Sequence, residues 1–475
     1  MEPADFALGL DVLGEQPMLL KLYTQISNIY QLPDDISHDV IVKTLKDGLH
    51  RLSASFPWIA GQVVNQTPES TTPTYRIVPL EPAPRLVVRD LSSKLSFEEM
   101  ERANFPFSML DEDDIAPCRT FAGFPSSTTD ASADGNEAPV FLVQINFISG
   151  GLFLTFNAQH NVMDMTGQGQ MIELLDKACR GEEFTEEELR IGNMARENVV
   201  ELLGEDYVPG DELKYQLSPP PDSTSSNSDP PPPQEPPSCK WTYFNVPPAS
   251  LKTIKDLATS TLPPTSTSTS NPQFISTDDA LTSHVYLSIL RARLPRLPNN
   301  TSKTTTTLAR AVDARPFLSL PSTYPGLLQN MTYHTNPLSS LPSLPLGHLA
   351  SSLRTAIHPS TTDIPHRSRA LATYLRRPPP DARPANFTAT LDPAGPDFMI
   401  SSWCKIPLYA LDFGLGVGVP RAVRRPRFEP AVEGLCYLMP KGADGGVVVG
   451  VGIREDDLKV LRELEGWKDV VVELG

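Results

Sequence analysis

Between Gly150 and Asp164 the chain reads GGLFLTFNAQHNVMD, a segment best explained as a strand running into a helix. Leu152, Leu154, Phe156 and Ala158 share one parity, and Phe153, Thr155 and Asn157 the other. That period of two predicts a β-strand leaving a turn at Ser149-Gly150-Gly151. His160 continues the apolar parity, so the strand carries an imidazole from a buried face into the bend before MTGQGQMIELLDKACRG, a predicted helix. Asp164 stands at the entry to that helix. A second alternating strand, Val140 to Phe147, forms a hairpin with the first, and the class that follows is mixed α/β.

At 475 residues the chain exceeds one ordinary core, which predicts two domains of roughly 200 residues each. The break falls at Ser218–Ser238, SPPPDSTSSNSDPPPPQEPPS, too polar and proline-rich to bury enough apolar surface to offset the entropy of ordering. The expected division is 1–215, a linker at 216–240, and 241–475. The 49 prolines otherwise mark surface loops. A net charge of -17 argues against broad nucleic-acid binding and against anionic membranes, so any anionic ligand needs a local basic patch. The opening MEPADFALGLDVLGEQP has neither a basic start nor a continuous apolar run, so no signal peptide is expected, and no run approaches a membrane span. Five scattered cysteines without a Cys-x-x-Cys pair fit a reducing compartment, and the expected location is the cytoplasm.

Ser37-His38-Asp39 can cap a predicted helix whose apolar positions Val40, Ile41, Leu45, Leu49 and Leu52 recur at helical spacing. It must stop before Phe56-Pro57. Strands are expected at 62–64, 75–78 and 86–88, a polar loop at 124–138, and a helix opened by the Thr185-x-x-Glu188 capping box and carried to about Leu203. In the second half a strand at 241–246, a helix at 248–258 and a loop at 261–273 lead to a helix capped by Ser276-x-x-Asp279 and buried on more than one face. A polar threonine run at 304–307 precedes a strand at 308–313. Residues 320–347 and 377–396 read as proline-rich loops around helices near 347–356 and 365–376. Strands at 400–403, 410–413 and 447–453 and a helix from Glu455 end the chain.

Of eight histidines only His160 has an aspartate four positions on. The residues alone leave several roles open for it: a core histidine bonded to a backbone carbonyl, half of a metal site, or the base of a triad. No further ligand cluster supports a metal. No Gly-x-Ser-x-Gly elbow occurs, and nothing marks Cys118 or Cys179 as a nucleophile. Gly414-x-Gly416-x-Gly418 and Gly167-x-Gly169 lack the combination of strand, turn, helix and acidic residue that a dinucleotide site needs.

His160-Asn161-Val162-Met163-Asp164, followed by Met165-Thr166-Gly167, resembles the HxxxD signature of the BAHD acyl-CoA-dependent acyltransferases. Asp412-Phe413-Gly414-Leu415-Gly416, about 250 residues later, resembles the family's DFGWG. Phe56 to Gly61 resembles its FPxLAG segment, Ser276 to Leu281 its STNDAL-like helix start, Val312 to Arg315 its VDxR strand and Ser401-Ser402-Trp403 its SSW-type strand. The run Ala178 to Glu188 is most similar to fungal members resembling trichothecene 3-O-acetyltransferase.

The resemblance implies a monomer of two chloramphenicol-acetyltransferase-like α/β domains, with mixed sheets flanked by helices and a channel between them for coenzyme A and acceptor. It implies acyl transfer, most simply acetyl, from acyl-CoA to a hydroxyl of a secondary metabolite, with no resident cofactor or metal. His160 is then the general base, a role suited to an imidazole near pKa 6.5. Asp164 is implied to pair with an arginine and orient the histidine loop. Asp412, Gly414 and Gly416 form a structural motif that closes a loop over the channel, and Arg315 is expected to pair with Asp412. Arg421, Arg424, Arg425 and Arg427 form the densest basic cluster and, with Ser402, are candidates for holding coenzyme A; a solvated loop is the alternative. Leu415 departs from the family's tryptophan, whose ring N–H has been proposed to assist the oxyanion; a backbone N–H or Ser402 would have to serve instead. The same base would serve an amine acceptor, and a non-catalytic binding protein with the same channel is a further alternative. A carrier-dependent condensation domain would show a histidine before His160 and a glycine after Asp164, where this chain has Gln159 and Met165.

Overall fold

The computed structural model describes residues 6–20, 22–67, 74–80, 86–121, 138–220, 238–264, 274–297 and 304–475. Most of the loops expected at 124–138 and 261–273, and most of the expected linker, lie outside the described residues.

One mixed sheet runs, edge to edge, Ala422–Arg424 (β12), Tyr23–Gln31 (β2), Gly151–Gln159 (β7), Phe141–Ile148 (β6) and Leu86–Asp90 (β5). A seven-stranded sheet runs Gln329–Pro337 (β10), Thr305–Asp313 (β9), Phe398–Ser402 (β11), Leu435–Leu438 (β13), Val447–Arg454 (β14), Cys239–Val246 (β8) and Val472–Glu473 (β15). A small sheet joins Leu8–Gly9 (β1), Tyr75–Pro79 (β4) and Gly61–Asn65 (β3). The strand β12 comes from the second half of the chain yet pairs with β2, with Ala422 opposite Ile29 and Arg424 opposite Ser27. The second half thus supplies an edge strand to the first half's sheet.

The predicted hairpin forms, with Phe141 opposite Ala158 and Ile148 opposite Gly151. Both faces of β7 are buried, not one. Its apolar parity packs in one core with Ile41, Leu45 and Leu49 of the helix His38–Ser55 and with Ile172 and Leu175 of the helix Met165–Cys179. The segment 115–118 covers the polar face of this sheet and accepts the side-chain amide N–H groups of β6 and β7, while the Asn157 and Gln144 side-chain oxygens have no partner. Asn157 Nδ2 donates to the Cys118 carbonyl at 2.9 Å, Asn146 Nδ2 to the Ile115 carbonyl at 3.0 Å, and Ser27 shares a 2.7 Å hydrogen bond with Thr155. Buried polar groups require such partners, so the polar face of this sheet selects one cover.

The first helix ends at Ser55 and Phe56 leaves the helical region, as the following proline demands. The Thr185–Glu188 capping box forms, but its helix stops at Gly192 rather than near Leu203. Trp58 Nε1 donates to the Gly192 carbonyl at 2.9 Å, and a Cβ on Gly192 would meet the Phe56 ring at 2.4 Å. Packing against the FPWIAG segment therefore ends this helix. In the second half, the threonine run belongs to β9, and β10 lies inside what reads as a proline-rich loop. β10 is an edge strand with Pro337 as its last residue, the place where a sheet tolerates a missing donor. Residues 410–413 are not a strand. Leu408–Ala410 is a 3-10 turn, and Phe413 takes φ 53°, with its N–H committed to Asp176 Oδ1 at 2.7 Å. The helix Thr277–Arg293 carries the expected capping box and is buried on nearly all sides.

Candidate active site

β7 ends at Gln159, and His160 sits in the turn that follows, its N–H donating to the Leu22 carbonyl at 2.7 Å. The ring Nδ1 lies 3.3 Å from the Met163 carbonyl. A carbonyl can only accept, so this contact places the proton on Nδ1 and leaves the lone pair on Nε2. Burial, reinforced by Arg425, lowers the imidazole below its ordinary value, against the opposing pull of the Met163 carbonyl and Asp164. The ring is therefore neutral around pH 7 and able to accept a proton.

The rest of the turn is held from both halves of the chain. Asp164 caps the helix Met165–Cys179, its Oδ1 accepting the Gly167 N–H at 2.9 Å. Arg315 grips the same carboxylate through two bonds, NH1 to Oδ2 at 2.9 Å and NH2 to Oδ1 at 3.0 Å, and the Leu328 N–H adds a fourth at 2.8 Å. Every acceptor position of Asp164 is thus spent on architecture. Arg196 NH1 holds the Val162 carbonyl at 2.7 Å and the buried Asp11 at 3.1 Å. Gly167 allows the Pro325 carbonyl to approach where a Cβ would come within 2.3 Å, which seats the second half directly on the helix start.

The implied pairing of Asp164 with an arginine is present, and the partner is Arg315. The expected Arg315–Asp412 pair is not. Arg315 is spent on Asp164, Asp313 and the Tyr324 and Gly326 carbonyls, and the cation nearest Asp412 is Arg180 at 3.9 Å. The second signature packs instead on the far end of the helix Met165–Cys179. Phe413 is fully buried and stacks on Phe156 at 5.6 Å between centroids, Asp412 Oδ1 accepts the Gly414 N–H at 2.9 Å, and Gly414 and Gly416 take positive φ. Arg180 also pairs with the buried Asp176.

His160 opens on a cavity of about 260 Å³. Leu19, Leu22, Phe121 and Met165 line it from the first half, and Met331, Phe387, Met399 and Trp403 from the second. Leu415 is buried in the core and is not part of this wall, so the leucine removes no donor from it. Ser402 does not reach the wall either. Alternate residues of a strand face opposite ways, so Met399, Ser401 and Trp403 turn to the cavity while Ser402 Oγ donates to Asp278 Oδ1 at 2.5 Å. Trp403 Nε1 donates to Ser401 Oγ at 3.1 Å. Reading the SSW-type segment with its strand parity would have selected Ser401. Thr120 and Asn386 carry no signal in the sequence.

The arginine run is not one patch. Arg421 is exposed and pairs with Glu101 at 3.1 Å, and Arg427 pairs with Asp111 and Glu429. Arg424 is buried and donates to the Phe105 and Asn104 carbonyls. Arg425 is buried in the cavity wall. Pairing of β12 with the first sheet carries Arg424 inward and Arg425 turns into the cavity wall, while Arg421 and Arg427 stay with carboxylates nearer the surface, so the run does not form one cluster. Burial pushes the Cys118 and Cys179 thiols up to about 12, which keeps both from forming a nucleophilic thiolate near neutral pH.

The chain matches the model of the Transferase family over residues 109–465, and that of the trichothecene 3-O-acetyltransferase-like N-terminal domain over residues 22–179. It is 46% identical to the O-acetyltransferase dmxR13 of Cryptosporiopsis sp., covering 99% of both chains. It is 43% identical to the trichothecene 3-O-acetyltransferase of Fusarium sporotrichioides, over 99% of this chain and 98% of that one. A crystal structure of the latter complexed with coenzyme A and T-2 matches at TM-score 0.87 and 42% identity, covering 99% of this chain and 100% of the other. Vinorine synthase, at 17% identity and TM-score 0.63, shares the fold. The chain belongs to the BAHD acyl-CoA-dependent acyltransferases, in their trichothecene 3-O-acetyltransferase-like branch.

Proposed function

We propose that this acyltransferase moves the acetyl group of acetyl-CoA to a hydroxyl of a secondary metabolite, with His160 as general base. The observation that carries the reading is the neutral imidazole at the cavity wall, with Nδ1 committed to the Met163 carbonyl and Nε2 without a hydrogen-bond partner among the described residues. Nε2 takes the proton of the acceptor hydroxyl as its oxygen attacks the thioester carbon. The tetrahedral intermediate then expels the coenzyme A thiolate, which recovers the proton from the imidazolium, leaving ester and free thiol. A positioned base of this kind contributes about 10² to 10⁴ in rate. Asp164 acts one step back, fixing the turn through Arg315.

Relatives crystallised with coenzyme A and T-2 in one structure and with coenzyme A and deoxynivalenol in another support an alcohol acceptor of similar bulk. The wall around His160 is largely apolar and rich in methionine, with Met18, Met165, Met331 and Met399 all lining it, and such walls adapt to a rigid apolar body. We read residues 1–215 and 241–475 as the two acyltransferase halves, and the Ser402, Arg421 and Arg424 region as outside the reacting centre. Five cysteines without a disulfide partner fit a cytoplasmic protein. The test is to incubate the full chain with acetyl-, propionyl- and malonyl-CoA against a panel of alcohols and amines and to read products by mass. Acetyl esters of apolar polycyclic alcohols are expected. Products confined to amides, or none with any alcohol, would reject the reading.

A further inference from the structure

Arg425 is 2% exposed, and no carboxylate among the described residues lies within ion-pair distance of it. Its guanidinium is wedged against two rings, 4.2 Å from the Phe428 centroid and 4.9 Å from that of Tyr437. Its one side-chain hydrogen bond runs from NH2 to Thr120 Oγ1 at 3.3 Å, and Nε and NH1 are buried with no acceptor. Buried arginines are ordinarily paired, because an unpaired ion in a low-dielectric interior is costly. Aromatic faces attract a buried cation but supply no counter-charge. The guanidinium cannot shed its proton, so the wall carries a permanent, incompletely compensated positive charge.

That charge stands next to the candidate base. Thr120, which Arg425 touches, accepts the Tyr23 N–H at 2.9 Å through its own carbonyl, and the neighbouring Leu22 carbonyl accepts the His160 N–H at 2.7 Å. Arg425 and His160 line the same cavity, and Arg425 is the one lysine or arginine among the described residues that do so. The surrounding carboxylates are spent elsewhere. Asp164 is taken by Arg315 and Asp11 by Arg196. Glu112, the acid nearest the guanidinium's partner, accepts the Thr120 N–H at 2.7 Å, and burial raises its carboxyl above the ordinary range. The other titratable groups facing this corner are the Tyr437 and Tyr243 hydroxyls and the Cys118 thiol, all raised by burial and therefore neutral.

We propose that Arg425 is an electrostatic positioning residue of the acyl-transfer site: the lone cation of the cavity wall, it makes the site receptive to negative charge on the thioester oxygen and unfavourable to a second positive charge on His160. This extends the base role given to His160 above and rests on it. It also places a source of oxyanion stabilisation on the cavity wall, which Leu415 of the second signature does not reach. Preorganised charge in a dry site is worth more than the same charge in water.

The test compares wild type, Arg425→Met and Arg425→Lys as full-length enzymes, with kcat/KM measured from pH 5 to 9 using acetyl-CoA and an alcohol that wild type turns over. Arg425→Met keeps a long side chain between the rings and removes the charge. Its acid limb is expected to move upward by roughly half a pH unit or more. Its kcat should fall roughly tenfold to a hundredfold, with the KM for acetyl-CoA changing less than about threefold. Arg425→Lys should keep the wild-type limb and recover part of kcat. A purely structural role would lower yield and melting temperature in both variants without moving the limb, and a wild-type limb in Arg425→Met overturns the proposal. If that variant fails to fold, Arg425→Gln, which keeps a planar polar group without the charge, is read in the same way: an upward move of the limb supports the proposal and a wild-type limb overturns it. His160→Ala separates the two claims. Wild-type turnover in that variant sinks the base, whereas an inactive His160→Ala beside an unmoved limb in Arg425→Met sinks the role of Arg425 alone.

Discussion

Arg315 and Arg425 are both buried guanidinium groups within one site, and they are compensated in opposite ways. Arg315 meets two carboxylates and two backbone carbonyls, and its partners come from both halves of the chain. Arg425 meets two aromatic faces and one hydroxyl. A cation whose every donor is answered by the protein contributes to architecture and is invisible to a ligand. One left partly unanswered in a cavity wall imposes a field on whatever enters. The contrast separates the residues that hold the histidine turn from those that set its chemistry.

The largest effect should come from breaking the closed arginine. Arg315→Met strands Asp164 in the interior and should cost about 3–5 kcal/mol, seen as a lower urea midpoint or loss of soluble protein. Asp164→Ala frees the helix cap and half of the Arg315 grip, and should cost about 2–4 kcal/mol, whereas His160→Ala removes one long hydrogen bond and should cost under about 1 kcal/mol. Equal melting of these two variants would erase the division between holding and reacting residues. Gly14→Ala would place a Cβ 2.0 Å from the Asn161 carbonyl, pressing on the turn from outside. We expect a loss of about 1–3 kcal/mol together with a fall in kcat, and an unchanged kcat would show that the turn tolerates displacement. Leu415→Trp should overpack the core by a similar 1–3 kcal/mol, roughly, without raising turnover, since the position lies outside the wall; a gain in rate would contradict that placement. The smallest effect belongs to Asp412→Asn. Its side chain is 46% exposed and its cation stands at 3.9 Å, so chemical denaturation should register less than about 1 kcal/mol.

Much of this was legible before the structure because the informative signals were local. The hairpin, the first helix and its stop at Phe56-Pro57, both capping boxes and the placement of His160 in a bend all follow from residue order over a few positions. What escaped was set at long range. Thr120 and Asn386 reach the cavity only through folding, and the strand β10 hides among prolines because an edge strand needs fewer of the usual markers. The partner of Arg315 is not legible in sequence, because a motif names residues without saying which carboxylate lies opposite. The segment Ser401-Ser402-Trp403 carries a parity that points to Ser401 rather than Ser402, since Met399, Ser401 and Trp403 alternate away from Ser402. The arginine run reads as one patch in sequence, and only the crossing of Ala422–Arg424 into the first sheet shows why it disperses.

The most direct test is acetyl-CoA-dependent thiol release by His160→Ala, measured beside circular dichroism and thermal melting of the same preparation. The account predicts turnover at least about a hundredfold below wild type with the fold and melting temperature retained. Wild-type turnover in a folded His160→Ala protein would contradict it.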